Sequence, residues 1–355
     1  MAHQRLTTFG HDPLLDLEPW VGQRQASFRF NLVDGVTGEN LGEIHPIRSA
    51  TLTHDTTRTI KRQLNLQLGV ADTAAVNPLR DRVLPYMTFP SGAEYPLGRY
   101  MFTDASRELW TSGRLGNMAL TDEMFLVDQQ IEAGIDGIGK SLTGVVTETL
   151  TGLPVVLDME PSPFTSAEAW AIGANRGSIL ESVAVSGDYF SPWFGNDGKL
   201  HMIRTFDPAT RYPDFDWDVG NQVIRDSIVE TDDLLTAPNR FIITSNASDT
   251  PDMVVSSIVD VPPTAPHSLA NRGFVILETL NLQLSDQSQA NAVATGIANR
   301  FTVFERVTLS TALDPRHDSY NVIRWQGELW LELAWGMALV EGGTMSHLIR
   351  KAYKP

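Results

Sequence analysis

Apolar and polar residues alternate along much of this chain, and the dominant period is two. Phe28, Phe30 and Leu32 alternate with Arg29 and Asn31 ahead of Asp34-Gly35, which predicts a hairpin. The strictest alternation runs from Ile60 to Leu68. There Leu64, Leu66 and Leu68 stand against Lys61, Gln63, Asn65 and Gln67, so one face of a strand meets a core. Arg82 to Thr88 and Arg99 to Thr103 continue as short strands, separated by turn chemistry at Pro90, Gly92, Pro96 and Gly98. Strands this short and closely spaced predict a small barrel or sandwich.

The alternation stops between Gly134 and Gly144, where four glycines fall in eleven residues and lead into a helix from Ser141 to Leu150. Val155 to Met159 reads as a strand. Ser178 and Glu181 form a capping box opening a second helix, with Ile179, Leu180 and Val183 as its apolar face. Tyr189 to Phe194 and Lys199 to Phe206 flank Asn196-Asp197-Gly198, a hairpin turn sequence. Helix followed by hairpin makes this segment α+β. After the connection Pro208 to Asp218, Arg240 to Thr244 predicts a strand and Pro251 to Pro266 a long loop. A helix follows over Ser285 to Arg300, opened by Ser285 and Asp286, with Ala290, Val293, Ala294, Ile297 and Ala298 at helical spacing. Tyr320 to Trp325, Glu328 to Trp335 and Met345 to Tyr353 return to strands, with turns at Gln326-Gly327 and Glu341-Gly342-Gly343. Trp325, Trp330 and Trp335 are read as core residues before interface anchors. The predicted fold class is mainly β with an α+β insert, two small β-barrels flanking a central α+β region. The divisions fall at 1–135, which includes an N-terminal extension, 136–218 and 219–355.

Composition bears on partners more than on fold. A chain of 355 residues, 42% apolar and 20% charged, holds two or three cored domains. Its 27 Lys and Arg against 43 Asp and Glu leave a net charge of -16, which opposes phosphate binding and suits a surface past which DNA slides. With no cysteine, there is neither a disulfide nor a thiolate site to hold the fold. Met1 to Gly10 lacks the apolar stretch of a secretory signal, and Leu329 to Val340 is about half a membrane span and contains Glu332. The expectation is a soluble protein with no membrane anchor.

One motif is chemically specific. Gly134, Gly139, Lys140 and Ser141 complete the G-x-x-x-x-G-K-S pattern of a phosphate-cradling loop, in which Lys140 would reach terminal phosphates and Ser141 would hold Mg²⁺, with Asp158 as an acidic partner. Such a loop springs directly from a buried strand, whereas Asp128, Gln129, Gln130 and Glu132 precede Gly134, and the alternating order of a parallel sheet is missing. The match is therefore read as a glycine-rich connection into a helix. Asp214, Asp216 and Asp218 imitate the start of a calcium loop, but Arg225 stands where a bidentate glutamate belongs. A strand edge with Phe215 and Trp217 turned inward is the favoured reading. The eight histidines show no H-x-x-x-H pair, and His45, His54, His201 and His317 are read as ordinary surface or strand residues. Asp232-Asp233 and Asp16 with Glu18 lack the known separation that glycoside chemistry requires. No catalytic residue, cofactor or metal site is assigned.

The order of these pieces carries a resemblance. Pro96-Leu97-Gly98-Arg99-Tyr100-Met101-Phe102 followed by Met118 to Leu126 resembles the first barrel of tailed-bacteriophage baseplate and tail-tip hub proteins. Gly139-Lys-Ser-Leu, then Ser178 to Ala184 before Asp197-Gly198-Lys199-Leu200, is similar to that family's central helix and hairpin. Asn239 to Ile243, the Gln287 to Ala298 helix and Leu313-Asp314-Pro315 resemble its second barrel. The resemblance spans about Leu52 to Tyr353. It implies a non-enzymatic structural subunit of the virion tail tip, a homotrimer whose two hub barrels per subunit close a pseudo-hexameric ring. That ring would join a six-fold tail tube to three-fold tip fibre or spike proteins, adjoin the distal tail and tape measure proteins, and pass DNA through its lumen. Family members also place a glycine before the first central helix, which accounts for the phosphate-loop pattern. The alternatives are a nucleotide hydrolase using Gly134 to Ser141 and a tail module binding host-surface carbohydrate.

Overall fold

A computed structural model describes residues 26–47, 50–110, 113–219, 223–232, 236–246, 254–282, 284, 286–300 and 305–352. The readings at Met1 to Gly10, Asp16, Glu18, Asp233 and Ser285 lie outside these residues. The fold is mainly β with an α+β centre, as the patterning predicts.

The first β region holds β1 (Ser27–Asp34), β2 (Asn40–Ile44), β3 (Ala50–Asp55), β4 (Arg62–Leu68), the short helix α1 (Val70–Ala75), β5 (Asp81–Thr88), β6 (Glu94–Pro96), β7 (Tyr100–Trp110) and β8 (Gly113–Asp122). The hairpin expected at Asp34-Gly35 is the antiparallel pair of β1 and β2. In β4 the strict alternation buries Leu64, Leu66 and Leu68 on one face. Each fully buried leucine contributes about 1.5–3 kcal/mol by leaving water. The strands lie in the order β3, β4, β8, β7, β5, β1, β2, with β6 on β5. A bridge between Pro46 and Leu68 brings the end of β2 back toward β4, so the sheet curls around its apolar face.

The short helix α2 (Met124–Val127) leads into the centre, which holds β9 (Ile135–Asp136), α3 (Leu142–Thr149), β10 (Leu157–Met159), β11 (Ala169–Trp170), α4 (Arg176–Ser186), β12 (Trp193–Phe194) and β13 (Leu200–Met202). Helices α3 and α4 bury Leu142, Val145, Val146, Ile179, Leu180 and Val183 in one cluster with Leu200 and Met202 of the small sheet. The second helix starts earlier than its capping box suggests. Asn175 is the cap and accepts from Ser178 N, whereas Glu181 reaches away to the Ser191 hydroxyl. The Asn196-Asp197-Gly198 turn joins β12 to β13, with Gly198 at φ +74, where a side chain would be strained.

The last region comprises β14 (Phe215–Asp216), β15 (Val223–Asp232), β16 (Arg240–Asn246), β17 (Val254–Asp260), α5 (Leu269–Arg272), β18 (Leu277–Asn281), α6 (Gln287–Arg300), β19 (Glu305–Ala312), β20 (Val322–Trp325), β21 (Glu328–Leu339) and β22 (Thr344–Lys351). The loop expected over Pro251 to Pro266 contains β17, which pairs with β16 along its whole length. The prolines bracket that strand rather than abolish it. The α6 stripe of Ala290, Val293, Ala294 and Ile297 packs on Phe241 and Ile243 of the small sheet, close because its residues are small.

Nothing in the strand pattern announces that the two β regions share one sheet. β21 pairs antiparallel with β3, Ala334 opposite Asp55 through Leu339 opposite Ala50, and the order runs β15, β19, β22, β21, β3, β4 without a break. Trp335, Met337 and Leu339 of β21 consequently belong to the apolar cluster of the first region.

Candidate functional site

The phosphate-loop residues that the sequence singles out form a turn between protein carbonyls and the start of α3. Within Gly134 to Ser141 lies β9, which pairs antiparallel with β11 instead of continuing a parallel strand. The Gly137 and Gly139 amides donate to the Glu168 and Ser166 carbonyls at 3.1 and 2.8 Å, and the Lys140 amide donates to Gly137 O at 2.9 Å. Amides committed to protein carbonyls do not converge on an anion. Lys140 Nζ lies 2.6 Å from Glu148 on α3, and the Ser141 hydroxyl caps that helix by accepting from Gly144 N at 3.1 Å. Gly139, at φ +74, makes the turn. Asp158 faces His201, 3.5 Å away.

The three aspartates of the calcium-like pattern stitch β14 to the last hairpin. Asp214 accepts from Val322 N at 2.8 Å, Asp216 pairs with Arg324 at 3.0 Å, and Asp218 accepts from the Gln326 and Gly327 amides at 2.6 and 2.8 Å. Phe215 and Trp217 turn inward, as expected. Trp325, Trp330 and Trp335 are likewise buried.

Among the described residues, the segment 314–319 between β19 and β20 gathers a dense set of polar contacts. Asp314 holds Arg316 through two bonds of 2.9 and 2.7 Å. Asp318 pairs with the guanidinium of Arg62 on β4, accepts from Trp193 Nε1 at 3.0 Å, and through its other oxygen accepts from Asn196 N at 3.2 Å. Arg62 also donates to Asn196 Oδ1 at 2.6 Å and lies over the Trp335 ring. One arginine, 1% exposed in its side chain, thus joins the first β region, the central hairpin and the last β region. Beside it, Asp122 accepts from the Arg62 and Met124 amides at 3.0 Å each, and burial pushes its carboxyl up to about 6 despite those bonds. Ser319 meets His54 Nε2 at 2.8 Å, and burial next to Arg62 and Lys61 holds His54 well below the usual histidine range.

His317, Glu332 and His347 form a second centre on the far side of the same segment. Both imidazoles present Nδ1 to the one carboxylate, His317 at 2.8 Å from Oε2 and His347 at 2.6 Å from Oε1, and all three side chains are at most 1% exposed. Phe215 stacks flat on His317 at 3.9 Å, and the Trp217 ring meets His347 edge-on. A bulge between Glu332 and Ala334, opposite β22, aims Glu332 inward. Burial pushes its carboxyl up to about 7 against the hydrogen bond and charge of His347, with Asp214 and Asp314 adding to the rise; burial pushes His347 down. Sequence reading missed this group. Of the histidines taken as ordinary, His45 is exposed, whereas His54, His201 and His317 are buried and partnered. The available signal was Glu332, a charge in the middle of an otherwise apolar strand.

No protein-family model matches the sequence, and no curated protein matches it. Solved structures do. A tail protein from Neisseria meningitidis MC58 superposes with a TM-score of 0.60 at 11% identity, covering 91% of this chain and 96% of that one. The 43 kDa tail protein of prophage MuSo2 from Shewanella oneidensis gives 0.56 at 10% identity, over 91% and 98%. The E. coli c3393 protein gives 0.50 at 7%, over 94% and 77%; it is a type VI secretion component similar in structure to the T4 tail proteins gp27 and gp5. The resemblance read from the order of sequence pieces is thus met by the coordinates, and the chain has the fold of these phage tail proteins.

Proposed function

We propose that this protein is a non-enzymatic structural subunit of a phage tail tip. Three copies close a pseudo-hexameric ring around the DNA channel, adapting the six-fold tail tube to three-fold tip components. The observation that carries the reading is near-complete mutual coverage with tail proteins, 91% of this chain against 96% of the Neisseria protein, so that the shared fold takes in most of each chain and not one borrowed domain. Each subunit supplies two similar β regions, within 1–135 and 219–355, flanking the centre at 136–218. The continuous sheet and the Arg62 junction hold those regions at a fixed spacing, which a ring with two positions per subunit needs. Among the described residues β2 and β15 are the outer strands of the sheet, and outer strands are suited to pairing with a neighbouring copy.

On this reading the neighbours in the virion are the distal tail and tape measure proteins on one side and the tip fibre or spike on the other. DNA passes the acidic lumen without adhering. Imaging of phage particles carrying a tagged copy of the chain tests the proposal. Density for the tag at the tail tip in three copies is the expected result; label along the tube, on the capsid or in any other copy number overturns it.

A further inference from the structure

We propose that His317, Glu332 and His347 bind one divalent cation of the zinc class, as a structural site that ties the 314–319 segment to β21 and β22. The three ligating atoms lie within 4.8 Å of one another on three separate stretches of chain, and two imidazoles with one carboxylate form a donor set typical of zinc, cobalt and ferrous sites.

The hydrogen-bond arrangement around His347 points the same way. The Thr311 hydroxyl has one proton, and two oxygen or nitrogen neighbours compete for it: the Ala312 carbonyl at 2.9 Å and His347 Nε2 at 2.7 Å. Both contacts are satisfied together when the hydroxyl donates to Ala312 O and accepts from a protonated Nε2. A neutral His347 then turns the bare lone pair of Nδ1 toward Glu332 Oε1, 2.6 Å away. Two lone pairs at that distance require a positive charge between them. In the unloaded centre a proton on the raised Glu332 carboxyl supplies it; a bound metal takes that proton's place, and Thr311 is then the outer partner that fixes the tautomer and orients the ring.

Charge agrees with this. Glu332 has Asp214 and Asp314 as acidic neighbours, and the one arginine of the segment, Arg316, is already held by Asp314. A dication offsets this local excess. Bonds of about 2.0–2.2 Å place neighbouring donors roughly 3.3 Å apart, so loading moves the Glu332 oxygens away from the His317 and His347 ring nitrogens by roughly 0.5 and 0.7 Å from their 2.8 and 2.6 Å contacts. Phe215 and Trp217 wall the site, and the bulge at Glu332 supplies the local freedom for this shift.

The test uses the full chain, stripped with chelator and dialysed against cobalt(II) and, separately, zinc. One metal per chain by elemental analysis is expected. Visible ligand-field bands of low-symmetry cobalt should appear, zinc should displace them, and a chelator should lower the melting temperature. Thr311→Val should weaken zinc about 10- to 100-fold while the chain stays folded, as loss of an outer hydrogen-bond partner does. Glu332→Gln should remove binding, and if that variant fails to fold, the wild-type cobalt spectrum decides alone. Fewer than about one metal in ten chains after dialysis, with no cobalt bands and no effect of chelator, shows that a proton occupies the centre and overturns the proposal. That outcome leaves the tail-tip reading untouched, since copy number and position in the virion do not depend on it.

Discussion

Arg62 is the side chain on which three parts of the molecule converge, and its energetics are those of a buried pair. Removing one partner of such a pair leaves an uncompensated charge in a low-dielectric site, which costs about 3–5 kcal/mol, far more than the pair contributes relative to apolar residues of similar volume. Asp318 is 26% exposed, so water relieves part of that cost. Asp318→Ala should therefore lower unfolding free energy by about 2–4 kcal/mol in denaturant titrations, with a smaller loss when Arg62→Met is added. Equal losses in the single and double variants would show that the pair does not couple the regions. Asp122, beside Arg62, gives the molecule a pH response. Its folded carboxyl is raised to about 6 from 3.8, so the folded state binds the proton more tightly than the unfolded chain. The associated stability is present below about pH 4 and is lost as pH rises through 6, by up to roughly 3 kcal/mol. Asp122→Asn should reduce the slope of melting curves between pH 4 and 7, leaving the part that the raised Glu332 carboxyl contributes with the same sign. It should also cost one hydrogen bond at every pH, because an amide has one oxygen to meet the Arg62 and Met124 amides.

Elements formed where local pattern and local geometry agree, and those were the legible ones. Leu64, Leu66 and Leu68 announced β4 because a strand with one buried face leaves a period of two in the sequence. The α6 helix and the last two hairpins were legible for the same reason. β17 was hidden by its flanking prolines, although it lies between them and pairs fully with β16. The cap of α4 is hidden because Ser178-Glu181 matches the capping-box pattern by spacing, while Asn175, three residues earlier, is the residue that accepts from the Ser178 amide in space. Asn175→Ala should accordingly destabilise the protein by about 1 kcal/mol, whereas Ser178→Ala should change it by no more than a few tenths. A melting series with those two effects reversed would restore the sequence-based cap. Lys140→Ala removes only a surface pair with Glu148 and should shift stability by less than about 0.5 kcal/mol. The centre at His317, Glu332 and His347 was illegible for a different reason. Its members are fifteen residues apart in each step, and only the bulged pairing of β21 with β22 and the folding back of the 314–319 segment bring them together.

At the scale of the whole molecule, the net charge of -16 and the pairing proposed for the outer strands β2 and β15 act in opposition, and this fixes how the proposed ring responds to salt. Three copies bring -48 into one annulus, and the repulsion among them is long-ranged at low ionic strength, where the screening length is about 30 Å at 0.01 M. Edge pairing between β2 and β15 of neighbouring copies depends on backbone hydrogen bonds and on apolar side chains such as Leu41 and Val229, both exposed in the single chain. Those contacts are short-ranged and insensitive to salt. Raising ionic strength from about 0.01 to 0.15 M, where screening falls to about 8 Å, should therefore strengthen self-association, the opposite of what ion-pair assembly would give. Sedimentation at the two salt concentrations reads the direction. Val229→Lys adds a positive charge, which by itself would ease repulsion, but places it in the apolar edge. If edge pairing drives assembly, this variant should associate more weakly than the wild type at 0.15 M while melting at the same temperature as a monomer. Tighter association would mean that net charge, and not the sheet edge, governs how copies meet.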